Sequence, residues 1–117
     1  TREAIKGTRY GFAFGMDAAL QINPYYGKAS NAGLKEHFKR VLDLGPSIIY
    51  NVPKRTGQDL PPELVEELAS HSNFIGVKEC AGNERIDRYE KKGTENIHLF
   101  FFISLAVNLS RSMYWTI

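Results

Sequence analysis

Lys78 is the residue best placed to do chemistry. It follows Phe74-Ile75-Gly76-Val77, a short apolar run in which a solvent-facing lysine is not expected. At the end of a buried strand a lysine loses hydration, and desolvation favours the neutral amine. A neutral amine attacks carbonyl carbons and forms Schiff bases. The competing explanation is a lysine that snorkels to the rim or pairs with a carboxylate. Tyr50 closes a second apolar run and can either relay a proton or simply pack. Arg55, a few residues on, offers a planar fork suited to a carboxylate; a plain surface charge in a loop is the alternative. Tyr25 and Tyr26 follow Asn23-Pro24 and suit an interface. His37 and His71 fall in helical stretches and read as surface residues. With no Cys, Asp or Glu at ligand spacing beside them, no metal site is expected. Cys80 reads as a small core residue, and Gly11 and Gly15 do not form a phosphate loop.

These residues need elements to position them, and the chain supplies an alternation. Thr1 can cap a helix that carries Glu3 near its positive end and closes at Gly11. Ala18 to Ile22 reads as a buried strand stopped by Asn23-Pro24. Ser30 is a candidate N-cap for a helix with Leu34, Phe38, Val41 and Leu42 on one face, ended by Gly45-Pro46. Ser47 to Val52 is a β-rich run ended by Pro53. Lys54 to Leu60 reads as polar loop, and Pro61-Pro62 as the entrance to a helix striped with Leu64, Val65, Leu68 and Ala69. Asn73 to Lys78 is a third strand. Ala81-Gly82-Asn83 turns into a charged helix over 84–92. The order α-β-α-β-α-β-α asks for a parallel sheet covered by helices. It does not choose between an open doubly wound sheet and a barrel. In either, the carboxyl ends of the strands form the functional rim, where the tyrosines, Arg55 and Lys78 all fall.

Composition narrows the class. Of 117 residues, 43% are hydrophobic and 24% charged, with a formal net charge of +2, which excludes a disordered or collagen-like chain. No block of like charge asks for nucleic acid. The single cysteine, Cys80, can form no internal disulfide and fits a reducing compartment. The apolar run Leu99 to Val107 falls short of the ~20 residues that span a bilayer, so no membrane partner is expected. The run reads as one buried strand or as a segment without a native partner.

Three motifs taken together carry a resemblance. Asn23-Pro24-Tyr25-Tyr26, Tyr50-Asn51-Val52-Pro53-Lys54-Arg55-Thr56-Gly57 and Gly76-Val77-Lys78-Glu79 resemble, in order and spacing, dihydrodipicolinate synthase of the plant type. The resemblance implies an α/β fold of the (β/α)8 TIM-barrel family. It also implies a class I aldolase-type lyase in lysine biosynthesis that condenses pyruvate with aspartate semialdehyde and needs no metal or other cofactor. By the same resemblance Lys78 forms the Schiff base, Tyr50 shuttles protons, and Tyr26 is lent to the neighbouring subunit's site in a homo-oligomer. Arg55 holds the semialdehyde carboxylate, and Glu3 and Tyr25 belong to a lysine feedback site. The plant likeness implies a chloroplast location.

A (β/α)8 barrel takes ~250 residues, so residues 1–93 are expected to be its central segment. Residues 94–117 read as an apolar tail outside the family. The family's upstream Gly-Thr-Thr-Gly-Glu motif is not in this sequence. An alternative function follows, a catalytically inactive fragment that at most docks on full-length subunits.

Overall fold

The structure, a computed structural model, describes residues 1–24, 28–91, 98–101 and 113–116. Five strands form one sheet: β1 (Ala18–Ile22), β2 (Ser47–Asn51), β3 (Phe74–Glu79), β4 (His98–Phe101) and β5 (Met113–Thr116). Their order is β4-β3-β2-β1-β5, and every neighbouring pair is parallel. The helices are α1 (Arg2–Ala13), α2 (Asn31–Leu42), α3 (Pro53–Thr56), α4 (Pro62–Leu68) and α5 (Asn83–Lys91). All five residues of β1 and of β2 are buried. Strands covered on both faces in this way belong to parallel sheets, whose crossover helices shield one side.

The covering is asymmetric. One face of the sheet packs Ile49, Phe74 and Val77 against Leu34, Phe38, Val41 and Leu42 of α2, Leu64, Val65 and Leu68 of α4, and Tyr89 of α5, with Ile5 of α1 alongside. The other face carries a separate cluster of Leu20, Ile22, Ile48, Tyr50 and Val52, joined by Ile75 and Cys80. Among the described residues no helix enters that second cluster. Helices on one face and a strand-only apolar face on the other are the arrangement of a barrel wall. An open doubly wound sheet would cover both faces with helices.

Local chemistry explains most of the boundaries. Ser30 caps α2, its hydroxyl accepting from the Gly33 N–H at 3.1 Å. Pro62 opens α4 at a position whose N–H would be unpaired in any case. Three boundaries differ from expectation. Thr1 makes no side-chain cap on α1; its hydroxyl donates instead to His37 Nδ1 at 3.0 Å. Helix α1 runs past Gly11 to Ala13, with the buried Gly11 lying against the Met16 side chain. The stretch expected as loop after β2 begins with the one-turn helix α3, closed by Gly57 in the left-handed region at φ 74°.

Strand β4 lies beside β3 in parallel, Lys78 facing Phe100 in register, so the first part of the apolar run after residue 98 is a sheet strand; residues 102–112 lie outside the described residues. Strand β5, which sequence reasoning did not find, pairs with β1 from Ala18↔Met113 to Gln21↔Thr116.

One irregularity decides which residues face the inner cluster. Ser47 pairs with Phe74, yet Ile48 pairs with Gly76, so β3 holds one extra residue at that point. Strict alternation from Phe74, on the helix-covered face, would send Lys78 to that same face. The extra residue shifts the phase. Ile75 joins the inner cluster, Val77 returns to the helix side, and Lys78 comes to share the inner face with Tyr50.

Candidate functional site

Strands β2 and β3 end side by side. Tyr50 and Lys78 are direct register partners there, followed by Asn51 and Glu79. The Lys78 Nζ stands 4.4 Å from the centroid of the Tyr50 ring, a cation–π distance. Lys78 is half-buried, between the desolvated amine and the lysine reaching the rim that its sequence position allowed. Tyr50 is buried. The half-buried Cys80 packs against the cluster that holds Tyr50, and burial pushes its thiol above the ordinary pKa, against the lowering influence of Tyr50. An amine, a phenol and a thiol thus meet at the carboxyl end of two parallel strands.

On the opposite face of the same strand ends lies a polar lattice. Asn51 donates through Nδ2 to Glu79 Oε1 at 2.8 Å and to Asp59 Oδ1 at 2.8 Å. Its own Oδ1 accepts from the Leu60 N–H at 3.1 Å. Glu79 Oε1 accepts from the Ala81 N–H at 2.9 Å, and Oε2 from the Tyr89 hydroxyl at 3.4 Å. Burial raises the Glu79 carboxyl above the usual range, against the pull of the Ala81 and Asn51 bonds. Burial and the Glu79 charge push the Tyr89 phenol well above its ordinary value. Arg85 of α5 pairs with Asp59 and donates to the Leu60 carbonyl at 2.9 Å. Burial works against the ionised form of Asp59, but the Arg85 and Asn51 bonds outweigh it and hold the carboxyl below its ordinary value. Sequence reasoning quoted Asn51 and Glu79 only as members of motifs. The available signal was two polar residues at the ends of apolar runs, Asn51 between Tyr50 and Val52 and Glu79 directly after Lys78.

Of the remaining candidate residues, Arg55 and Glu3 fall among the described residues. Arg55 is exposed on α3, directly after β2. The loops after β1 and β2 are tied together by Gln58. It accepts from the Ala29 N–H at 3.1 Å, donates to the Ala29 carbonyl at 2.7 Å, and offers its own carbonyl to Asn23 Nδ2 at 3.0 Å. Tyr25 and Tyr26 lie outside the described residues. Glu3 is exposed in the first turn of α1.

His37 was expected at the surface and is buried. Its Nε2–H donates to the Ile22 carbonyl at 3.1 Å, leaving Nδ1 to accept from Thr1. Burial lowers its pKa from 6.5 to about 4, against the Ile22 bond, which acts to raise it. The spacing of α2 carried the signal: His37 stands three residues after Leu34 and four before Val41, inside the apolar stripe, and only its residue type had suggested the surface. His71 lies beyond α4, within 2.8 Å of Asp43. Among the described residues no three His, Cys, Asp or Glu side chains gather as a metal site would require, and no helix is long and apolar enough to cross a membrane.

A parallel, one-side-covered sheet with a lysine and a tyrosine paired at its carboxyl rim is the arrangement of part of a (β/α)8 barrel. Comparison with known proteins agrees. The model of the dihydrodipicolinate synthetase family matches residues 1–101, which takes in β4. The chain belongs to that family. The 4-hydroxy-tetrahydrodipicolinate synthase 1, chloroplastic, of Triticum aestivum is 61% identical over 93 residues, 80% of this chain and 24% of the wheat protein. The chloroplastic enzyme of Nicotiana tabacum is 59% identical over 93 residues, 80% of this chain and 26% of its own length. The chain thus spans about a quarter of the curated relatives it matches. Among solved structures, the chloride-inhibited dihydrodipicolinate synthase of Acinetobacter baumannii complexed with pyruvate superposes with a TM-score of 0.79 at 35% identity, over 86% of this chain and 35% of that one. The enzyme of Cyanidioschyzon merolae with lysine bound gives 0.78 at 30% identity, over 83% and 34%.

Proposed function

We propose that this chain carries the Schiff-base segment of a 4-hydroxy-tetrahydrodipicolinate synthase, a lyase of lysine biosynthesis that condenses pyruvate with aspartate semialdehyde. The observation that carries the reading is the Tyr50–Lys78 register pair, with Nζ 4.4 Å from the ring centroid, at the strand ends of a family whose Acinetobacter member was crystallised with pyruvate. In this reading the Lys78 amine attacks the keto carbon of pyruvate. The resulting hydroxyl takes a proton through Tyr50 and leaves as water, and the lysine imine remains. Loss of a methyl proton then gives the enamine that attacks the semialdehyde carbon. The imine nitrogen is the electron sink, so this chemistry draws on no metal or organic cofactor.

The other roles are parts of the same reading. Arg55 receives the semialdehyde carboxylate. Tyr26 is shared between subunits of a homo-oligomer, and Glu3 and Tyr25 sense lysine, the molecule bound in the Cyanidioschyzon structure. The names of the plant relatives favour a chloroplast location.

Borohydride trapping tests the reading. The chain is incubated with pyruvate, reduced, digested and mapped. A reduced adduct is expected on Lys78 and is absent from Lys78→Ala and from Lys78→Arg, whose guanidinium stays protonated. An undiminished adduct in either variant overturns the assignment. A coupled synthase assay of the same sample separates an enzyme from an inactive segment: an adduct without turnover favours the docking fragment.

A further inference from the structure

A strand that has gained an extra residue can lose it again by slipping, and a one-residue slip turns every following side chain to the other face. Strand β3 has such a point between Phe74 and Gly76, and Lys78 lies two residues beyond it. Something must hold the shifted phase. The ordinary ladder does not discriminate strongly, because slipped parallel strands form the same backbone bonds. Discrimination has to come from side chains that fit only one register.

The buried pair Asn51 and Glu79 has that property. The two are register partners immediately after Tyr50 and Lys78. Asn51 is fully enclosed and Glu79 is 3% exposed. Every polar atom of the Asn51 side chain is engaged: Nδ2 by Glu79 and Asp59, Oδ1 by the Leu60 N–H. Glu79 is engaged in turn by the Ala81 N–H and by Tyr89. Slipping β3 by one residue would set Lys78 opposite Asn51 and rotate the Glu79 carboxylate to the apolar inner face, away from all its donors. A buried carboxylate without partners is among the costliest groups a fold can hold. Asn51 is also bound to the following segment through its carbonyl, which accepts from the Cys80 N–H at 3.0 Å.

We infer that Asn51 and Glu79 form a register lock that fixes the phase of β3 beyond its extra residue and so aims Lys78 at Tyr50. They are positioning residues: they sit on the helix-side face and act on the amine through the strand. The inference deepens the Schiff-base reading, on which its catalytic consequence rests, but the lock itself is a statement about where Lys78 points.

NMR of the complete chain reads the lock directly. With Nζ over the Tyr50 ring, the Lys78 side-chain methylene protons nearest the amine are displaced upfield by the ring current. The Asn51 side-chain amide, held between two carboxylates, is displaced downfield and exchanges slowly. Both signatures are expected in the parent. Asn51→Ala and Glu79→Ala each remove the lock, and the Lys78 displacement is lost. Glu79→Gln keeps an oxygen for Asn51 and for the Ala81 N–H, and the displacement is retained. A side chain that only stabilises the core would not show rescue by the amide. The buried Gln21 amide on β1, which donates to Thr8 at 2.8 Å, certifies that each variant is folded. Should an alanine variant not fold, the parent still decides: an Asn51 amide with ordinary position and fast exchange, or an undisplaced Lys78, overturns the inference. So does a folded alanine variant that keeps the Lys78 displacement.

Trapping then connects lock to chemistry. The folded alanine variants are expected to form the pyruvate adduct up to about a hundredfold more slowly, the cost of misplacing a reacting group by about 1 Å. Undiminished trapping in a variant whose Lys78 has turned away would overturn the catalytic consequence. A parent with both NMR signatures and no adduct would instead remove the Schiff-base reading and leave the lock standing.

Discussion

Acidification is expected to loosen the end of β1 through His37. The imidazole is 3% exposed and neutral, with Nε2–H given to the Ile22 carbonyl and Nδ1 accepting from Thr1. A proton on Nδ1 would break the Thr1 bond and place a charge in the helix–sheet core. The pKa falls from 6.5 in the exposed side chain to about 4 in the fold. The unfolded chain therefore binds the proton first, and stability falls as pH drops below 6.5 and stops falling near pH 4. At about 1.4 kcal/mol per pH unit, the loss is roughly 2 kcal/mol at pH 5 and roughly 3 kcal/mol at pH 4. That is a large share of the ~5–15 kcal/mol that small domains hold. Glu79 acts in the opposite sense, since its raised carboxyl pKa adds stability as pH falls. A control is therefore needed. His37→Gln keeps an N–H for Ile22 and removes the titration. Urea midpoints of parent and variant are compared at pH 7.5, 6, 5 and 4. The difference between them should open below pH 6.5 in the direction of a weaker parent. Parallel pH profiles would refute the argument and show that His37 titrates no differently in the folded chain.

Two further predictions concern the loop after β2. Arg55→Ala should weaken the semialdehyde step by roughly ten- to a hundredfold, from a lost charge-assisted bond worth about 1.5–3 kcal/mol, while pyruvate trapping at Lys78 is unchanged; equal effects on both substrates would contradict the role given to Arg55. Gly57 holds φ 74° at the end of α3, so Gly57→Ala should cost about 1–2 kcal/mol in a urea titration, with Gly57→Asn costing less because Asn tolerates the left-handed region.

Much of the fold was legible in the chain. The strands at Ala18–Ile22, Ser47–Asn51 and Phe74–Glu79 fall where apolar runs meet prolines or turns, since a proline cannot continue the ladder and buried strands need uninterrupted apolar side chains. The Ser30 cap and the Pro61-Pro62 entrance were legible for the same kind of reason: one residue type satisfies one local backbone need. The placement of Tyr50 and Lys78 at neighbouring strand ends followed from the alternation of elements, because parallel strands put their carboxyl ends on one rim. Tertiary structure decided the rest. The extra residue in β3 exists only relative to β2, so no property of Phe74-Ile75-Gly76 taken alone shows that Lys78 turns inward. The hydrogen bonds that keep buried His37 neutral depend on the Ile22 carbonyl and on Thr1, which lie far from it along the chain. Strand β5 is a strand because the edge of β1 is there to pair with it: Tyr114, Trp115 and Thr116 suit a strand, but four residues do not hold one unpaired. Asn51 and Glu79 become a unit only when the two strands lie side by side, since a hydrogen bond between buried polar groups is a property of where they meet and not of what they are.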